Sequence, residues 1–162
     1  MTAPQHYDLI PLAALALLLL AAAVGDARRY LIPNWISIAV AALYPLYILL
    51  HPEAVDWAAG IAVALGLFGF GFVLHLLGVI GGGDVKLLAA AGLWAGPQYL
   101  VPLLLIMALS GGVLALVLMI ARASRVRVRH LRAGPTRGHG QLPYGVAIAA
   151  GGMTVSVLLA AG

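Results

Sequence analysis

Two aspartates stand out in this 162-residue chain, because each interrupts a largely apolar sequence. Asp84 follows three glycines in the stretch VIGGGDVKLL, residues 79–88, and Asp26 follows the first apolar run. Two neighbouring carboxyl groups cannot both ionise without a large electrostatic cost, so one keeps its proton while the other is charged. Such a pair can supply a general acid and a general base together. The question is whether the fold brings Asp26 and Asp84 together.

The chemistry expected of such a pair is that of an aspartic protease. The charged carboxylate takes a proton from water, and the neutral carboxyl group donates its proton to the carbonyl oxygen of the scissile peptide. This reaction needs no cofactor. The chain also has no cysteine, and its five histidines form no HExxH or similar close pair. We therefore expect neither a metal nor a cofactor.

The composition predicts an integral membrane protein. Hydrophobic residues make up 64% of the chain and charged residues only 9%, which leaves too little polar surface for a soluble domain. A bilayer requires about 20 apolar residues per helix. On that basis we predict an all-α protein, one transmembrane domain over residues 1–162. Its six helices fall approximately at 8–25, 35–50, 57–79, 85–96, 99–121 and 142–161.

Charge placement predicts the topology. The first apolar run has no Lys or Arg before it, so we interpret it as a retained helix and not as a cleaved signal. If all six segments cross, every basic residue falls on one face, which the positive-inside rule assigns to the cytoplasm, with both termini outside. The basic residues are Arg28, Arg29, Lys86, Arg122, Arg125, Arg127, Arg129, Arg132 and Arg137.

The same count of crossings places Asp26 and Asp84 on one side. Two complete crossings separate them, and an even number returns the chain to the same face. The other three acids, Asp8, Glu53 and Asp56, fall on the outer side. A shared cytoplasmic site for Asp26 and Asp84 is therefore allowed.

Each aspartate also has a purely structural interpretation. Asp84 could cap the helix that follows it, and Asp26 could pair with Arg28 or Arg29. For either residue alone, the structural interpretation would be preferred. The preceding glycines, 81–83, have no Cβ, so we expect them to allow positive φ, to let a substrate backbone approach and to break the helix.

Two motifs carry a resemblance to a known family. Residues 81–86, GGGDVK, match the GxGDxK motif, and Asp26 stands seven residues before the proline of Ile32-Pro33-Asn34. At these positions the chain resembles the type IV prepilin peptidases, which are six-helix membrane aspartic proteases. The resemblance implies that Asp26 and Asp84 form the catalytic pair. The implied substrate is a prepilin whose short basic leader is removed at the cytoplasmic face of the inner membrane, after a glycine and before the prepilin's hydrophobic helix.

Other motif residues and departures refine this expectation. Gly81, Gly83, Lys86, Pro33 and Asn34 belong to the motifs, and for Lys86 we expect anchoring or substrate contact. Larger family members carry an insertion in which paired cysteines bind zinc, and they also methylate the mature pilin. This chain has no cysteine. We therefore carry over peptidase activity and leave methylation open. The compact size and the start of the last helix, PYGVAIA at 143–149, look most like the small peptidases of tight-adherence (Flp) pilus systems.

The remaining features have simpler explanations. We expect the basic loop, about 122–141, to anchor topology and to bind anionic lipid headgroups, and nothing indicates nucleic-acid binding. His75 is expected to be a neutral, hydrogen-bonded packing residue. Two other functional classes remain open: a transporter or proton relay that uses Asp26 and Asp84, and a non-catalytic pilus-assembly subunit. The oligomeric state is not predicted.

Overall fold

The chain folds into α-helices throughout the residues that the structure describes. The structure is a computed structural model and describes residues 9–51, 55–129 and 143–161. Five helices and no strand occur in these ranges, so the predicted all-α class is confirmed. The helices are α1 (Leu9–Arg29), α2 (Asn34–Leu50), α3 (Trp57–Leu76), α4 (Gly82–Arg129) and α5 (Tyr144–Ala161).

Helix α4 is interrupted at Gly96. This residue has φ 52° and ψ −168°, outside the helical region, and Pro97 follows it. Proline disfavours a helical conformation in the residue before it and is well tolerated at the start of a helix. Gly96 therefore divides α4 into an amino-terminal arm, 82–95, and a carboxyl-terminal arm, 97–129. The two arms correspond to the fourth and fifth predicted segments.

Four helices are long and apolar enough to cross a bilayer. They are Leu9–Arg29, Trp57–Leu76, Gly82–Ala121 and Tyr144–Ala161. The third of these ranges contains the break at Gly96. Helix α2 is apolar but shorter, with 17 residues. These lengths agree with an integral membrane protein. The exact number of crossings and the outer location of the termini remain predictions.

Several boundaries differ from the prediction: α1 continues past 25 to Arg29 and so contains Asp26, α3 ends at Leu76 and not at 79, and α4 begins at Gly82 and not at 85. The carboxyl-terminal arm of α4 was predicted to end at 121, but it continues to Arg129. The first part of the predicted basic loop is therefore helical. Arginines have good helix propensity, so the charge of this stretch does not stop the helix. The rest of that loop, including Arg132 and Arg137, lies outside the described residues.

The amino-terminal arm of α4 packs between α2 and α3. Along α3 the residue numbers fall as those of the arm rise, since Gly71 faces Val85 and Leu67 faces Gly92. Along α2 they run in the same order: Asn34 bonds to Lys86, and the Val40 carbonyl accepts a hydrogen bond from the Trp94 indole. The arm is therefore antiparallel to α3 and parallel to α2.

Helix α5 packs between α1 and the carboxyl-terminal arm of α4. Its glycines allow close approach, because a Cβ on Gly151 would lie 2.6 Å from the Leu103 carbonyl oxygen and one on Gly152 would lie 2.8 Å from Leu19 Cδ1. Small residues at helix contacts are typical of membrane proteins. Nearer the start of α5, a Cβ on Gly111 would lie 3.5 Å from the Ala147 Cβ. The carboxyl-terminal arm and α5 are thus antiparallel.

These contacts place three chain segments at one end of the bundle: the end of α1, the start of α4 and the start of α5. Asp26 lies in the last turn of α1 and contacts Gly145 of α5. Asp84 lies in the first turn of α4. Because α2 and α3 lie between them in the chain, the two aspartates reach the same end, as the count of crossings requires.

Candidate active site

Asp26 continues the buried face of α1. The buried residues Leu15, Leu19 and Ala22 recur every three or four positions, and Asp26 takes the next place in this series. This spacing keeps side chains on one side of a helix. As a result, the Asp26 side chain is only 5% exposed and points into the bundle, although aspartate is an ionisable residue.

The partner of Asp26 is a backbone group at the start of α5. Its Oδ2 accepts a hydrogen bond of 2.7 Å from the N–H of Gly145, the second residue of α5. The first N–H groups of a helix lack partners within that helix, and a carboxylate satisfies them well. Within the described residues Asp26 makes no ion pair with Arg28 or Arg29. The predicted ion pair is therefore not what holds this side chain.

Asp84 closes the first turn of α4. It lies in the third position of the helix, and its Oδ2 accepts a 3.2 Å hydrogen bond from the Gly81 N–H. This is the acidic half of a capping box, so the capping interpretation of Asp84 is correct for one oxygen. Among the described residues, Oδ1 has no hydrogen-bond partner. Capping leaves this second oxygen available for water or a substrate.

The two carboxyl groups are close enough to interact electrostatically. Asp26 is buried and Asp84 is partly exposed, so the pair combines a shielded carboxyl group with an accessible one. One comes from the end of α1 and the other from the start of α4, and the predicted even number of crossings allows this arrangement. Their roles in a reaction are not tested by this geometry and stay a hypothesis.

Ile32 separates and positions the two aspartate segments. A Cβ on Gly83 would lie 3.3 Å from Ile32 Cβ, and one on Gly145 would lie 2.6 Å from Ile32 Cδ1. Ile32 is buried, at 7% exposure. The same side chain thus packs against the neighbour of Asp84 and against the hydrogen-bond donor of Asp26. It sets how closely α4 and α5 approach the end of α1.

The glycine triplet does not adopt the predicted conformation. Positive φ occurs at Gly78, Gly96 and Tyr30, but not at residues 81–83, and α4 already begins at Gly82. Close approach favours glycine at residues 81 and 83, where an added Cβ would lie 2.9 Å from Asp84 Oδ2 and 3.3 Å from Ile32 Cβ. A Cβ on Gly82 would lie at an ordinary contact distance of 3.4 Å from the His75 ring.

His75 holds the peptide that binds Asp84. It lies in the last turn of α3, and its Nδ1 is 3.0 Å from the Ile80 carbonyl oxygen. Since a carbonyl oxygen only accepts, Nδ1 must donate. The next group of the same peptide unit, the Gly81 N–H, donates to Asp84. His75 is hydrogen-bonded, as predicted, but it is exposed and supports the turn rather than a packed core.

Lys86 connects the two sequence motifs. Its Nζ donates a 3.0 Å hydrogen bond to Oδ1 of Asn34, the first residue of α2, which Pro33 precedes in an extended conformation with φ −61° and ψ 135°. The predicted anchoring contact of Lys86 therefore exists. Pro33 and Asn34 position the start of α2 against α4 and do not reach the carboxyl groups through any described contact.

Three residues were not predicted from the sequence to contact the aspartate segments. They are Ile32, which was named only as part of a motif, His75, which was expected to be a packing residue, and Gly145. Gly145 lies in the quoted stretch PYGVAIA, yet nothing in that stretch indicates a contact with Asp26. No group of three or more His, Cys, Asp or Glu side chains is arranged to hold a metal within the described part of the chain.

The model of the type IV leader peptidase family matches residues 13–116, a range that includes both aspartates and excludes α5. No curated protein and no solved structure matches this chain. The matched range covers more than half of the 162 residues, and the motifs around Asp26 and Asp84 lie inside it. The chain therefore belongs to the type IV leader peptidase family, which indicates a membrane-embedded protease.

Proposed function

We propose that this protein is a membrane aspartic endopeptidase that removes the short leader of type IV or Flp-like prepilins at the cytoplasmic face of the inner membrane. The observation that carries the proposal is that Asp26 in the last turn of α1 and Asp84 in the first turn of α4 lie at the same end of the bundle, where Ile32 packs against the neighbour of Asp84 and against the hydrogen-bond donor of Asp26. Family membership supports a leader peptide as the substrate.

The reaction requires no group other than these two carboxyl groups and water. The charged carboxyl group removes a proton from water, and the water oxygen attacks the carbonyl carbon of the scissile peptide. The neutral carboxyl group gives its proton to the carbonyl oxygen, which forms a tetrahedral diol. When the C–N bond breaks, the amine leaves with a proton from the pair, and the second carboxyl group receives the proton of the diol. The pair thus returns to one proton.

The environment of each carboxyl group suits a distinct part of this reaction. Asp26 is buried and is held by a backbone hydrogen bond from Gly145, which limits its movement. Asp84 keeps Oδ1 without a partner among the described residues and is more exposed, so it can contact an incoming peptide. Preorganised groups of this kind lower the cost of reaching the transition state.

The cytoplasmic location rests on the basic residues near this end. Arg28 and Arg29 end α1, and Lys86 follows Asp84 by two residues. The positive-inside rule favours such residues on the cytoplasmic side. A transporter with relay acids is a weaker proposal, because such acids are expected near the middle of the membrane, and both aspartates lie in terminal turns.

The first experiment replaces each carboxyl group by an amide of nearly the same shape. Asp26→Asn and Asp84→Asn are each expressed with a candidate prepilin from the same genome, and the shift from precursor to mature pilin is followed. We expect each substitution to slow processing by about 10²-fold or more, since each removes one proton-transfer group. Mass spectrometry of the same samples determines whether the mature pilin is also methylated.

Asp56→Asn is the matched control. Asp56 caps α3 at the opposite end of the bundle, where its side chain accepts a hydrogen bond from the Ala59 N–H, and asparagine also caps helices well. This variant is expected to cut like the wild type. If Asp26→Asn and Asp84→Asn are present in the membrane in the same amount as the wild type and both process prepilin normally, the two aspartates have only structural roles.

A further inference from the structure

Two hydrogen bonds meet at one peptide unit in the turn between α3 and α4. His75 Nδ1 lies 3.0 Å from the Ile80 carbonyl oxygen, and the Gly81 N–H donates a 3.2 Å hydrogen bond to Asp84 Oδ2. The carbonyl and the N–H belong to the same planar amide group, so neither can turn without the other. The position of the imidazole therefore sets the direction from which Asp84 receives its hydrogen bond.

The hydrogen bonds of α3 and α4 stop on either side of this peptide unit. Before it, the Val79 N–H donates to a carbonyl in the last turn of α3, and after it the Val85 N–H donates to the Gly81 carbonyl. The Ile80 carbonyl accepts no backbone hydrogen bond within the part of the chain that the structure describes. His75 thus supplies the partner that the backbone does not.

The carboxyl group of Asp84 carries this constraint to its second oxygen. A carboxyl group is planar, so fixing the position of Oδ2 also limits where Oδ1 can lie. Oδ1 has no hydrogen-bond partner among the described residues, and Asp84 is partly exposed. A hydrogen bond accepted by a carbonyl oxygen also polarises its amide and strengthens the N–H as a donor. The contacts that start at His75 therefore decide where the open oxygen of Asp84 lies.

We infer that His75 is a positioning residue for Asp84, which it holds through the peptide unit between Ile80 and Gly81 so that Oδ1 faces water and the scissile carbonyl. The inference rests on the proposed peptidase function. In this role the Nδ1 proton stays on the hydrogen bond to Ile80, and the imidazole exchanges no proton with the substrate. A histidine that only closes the turn would affect stability and leave the rate of the chemical step unchanged.

Two substitutions separate the hydrogen bond of His75 from the space that its ring fills. In His75→Asn, the amide nitrogen is separated from Cα by as many bonds as Nδ1 of histidine, so it can donate to the Ile80 carbonyl. In His75→Phe, a flat ring remains beside Gly82, but no donor does. Histidine, asparagine and phenylalanine have similar helix propensities, so we expect α3 to form in both variants.

The measurement is kcat and KM for a candidate prepilin from the same genome, in detergent. We expect His75→Phe to lower kcat about 10- to 100-fold, because a small displacement of a reacting group is enough for such a loss. Since the contact acts on the reacting group and not on substrate binding, KM should change little. We expect His75→Asn to retain most of the wild-type kcat. Equal losses in the two variants, or no loss in His75→Phe, would overturn the inference.

His51→Phe is the matched control. His51 Nδ1 lies 3.2 Å from the Tyr47 carbonyl oxygen, at the end of α2 that lies away from the aspartates, and a phenylalanine ring can keep the ring contact with Tyr47. This variant also removes a histidine hydrogen bond to a carbonyl, and we expect the wild-type kcat and KM. A loss of kcat equal to that of His75→Phe would be a general effect of lost hydrogen bonds and would overturn the assignment to His75.

The tautomer of His75 gives a test that does not depend on activity. A carbonyl oxygen only accepts, so Nδ1 must carry a proton. The ¹⁵N spectrum of histidine-labelled protein in detergent distinguishes a proton on Nδ1 from one on Nε2, and the signal that is lost in His75→Asn is that of His75. A neutral ring with its proton on Nε2 would overturn the inference, even if His75→Phe does not reach the membrane.

The wild type and Asp84→Asn distinguish this inference from the proposed function. If the wild type cleaves prepilin, Asp84→Asn does not, and His75→Phe cleaves like the wild type, the peptidase function is retained and the positioning role is rejected. If the wild type leaves prepilin uncut, the proposed function fails, and the positioning role fails with it.

Discussion

At the residue scale, the site depends on contacts in which a carboxylate and a glycine meet. Asp26 is bound by Gly145 and Asp84 by Gly81, in each case through the backbone N–H. An added Cβ would lie 2.8 Å from Asp26 Oδ2 and 2.9 Å from Asp84 Oδ2, so a side chain at either glycine would require the carboxyl oxygen to shift. The glycines thus determine where the carboxyl oxygens can lie.

This arrangement makes Gly145 a sensitive position. In Gly145→Ala, the new methyl group would also lie 2.6 Å from Ile32 Cδ1, and overpacking of this kind costs about 1–3 kcal/mol. We expect α5 or the Asp26 carboxyl group to move. A displacement of about 1 Å can lower a reaction rate about 10²-fold. The measurement is kcat/KM for prepilin cleavage in detergent, together with thermal unfolding.

The control for this substitution is Gly112→Ala in α4. A Cβ at Gly112 meets nothing within 4 Å, and alanine favours a helix over glycine by about 1 kcal/mol. We expect Gly112→Ala to cleave at the wild-type rate and to be at least as stable. If Gly145→Ala also cleaves at the wild-type rate, the approach of α5 does not control the position of Asp26.

At the element scale, the turns decide how the helices reach the site. The turn between α3 and α4 is stabilised by His75, which bonds to Ile80, and by Asp84, which bonds to Gly81. One peptide unit is thus held at both of its polar groups. Asn34 and Lys86 connect the starts of α2 and α4 in a similar way. Each connection joins segments that lie next to the candidate catalytic pair.

The break in α4 at Gly96 is the second structural requirement at this scale. With φ 52° and ψ −168°, Gly96 lies outside the conformations open to residues with a side chain, and a substitution there costs about 1–3 kcal/mol. No atom lies within 4 Å of an added Cβ, so the cost is conformational and not steric. We expect Gly96→Ala to lower the midpoint of thermal unfolding in detergent.

Gly69→Ala in α3 provides the comparison for that measurement. Gly69 is helical and also has no atom within 4 Å of an added Cβ, so alanine is expected to raise stability slightly. The interpretation of the break fails if Gly96→Ala and Gly69→Ala change the unfolding midpoint in the same direction and by the same amount.

At the scale of the whole molecule, the proposed function requires the aspartate end of the bundle to face the cytoplasm. Ala58 at the start of α3 and Val79 after its end lie at opposite ends of the bundle, and both are exposed. In spheroplasts, a membrane-impermeant maleimide is expected to label Ala58→Cys, and to label Val79→Cys only after lysis. The reverse pattern would place the aspartates on the outer side and contradict the proposed topology.

The absence of native cysteine makes this labelling unambiguous. Both substitutions lie outside the contacts that form the site, and each variant can be checked for normal processing of a prepilin. The same measurement decides the side on which the leader is removed.

The sequence by itself determined much of the fold. The apolar runs predicted helices, Gly96 and Pro97 marked the break that the structure contains, and the number of crossings placed Asp26 and Asp84 at one end. These features follow from local composition and from the length of a membrane helix. Even the two alternatives for Asp84 could be named, because a carboxylate at the start of a helix can cap that helix and can also act as a general acid or base.

Only the tertiary structure decided which groups these carboxyl groups meet. Gly145 is 119 residues from Asp26, and Asn34 is 52 residues from Lys86. Every helix begins with N–H groups that lack partners, so the sequence cannot tell which carboxylate will bind those of α5. These pairings depend on how whole helices pack, and that packing is settled by the sum of many weak contacts along their buried faces.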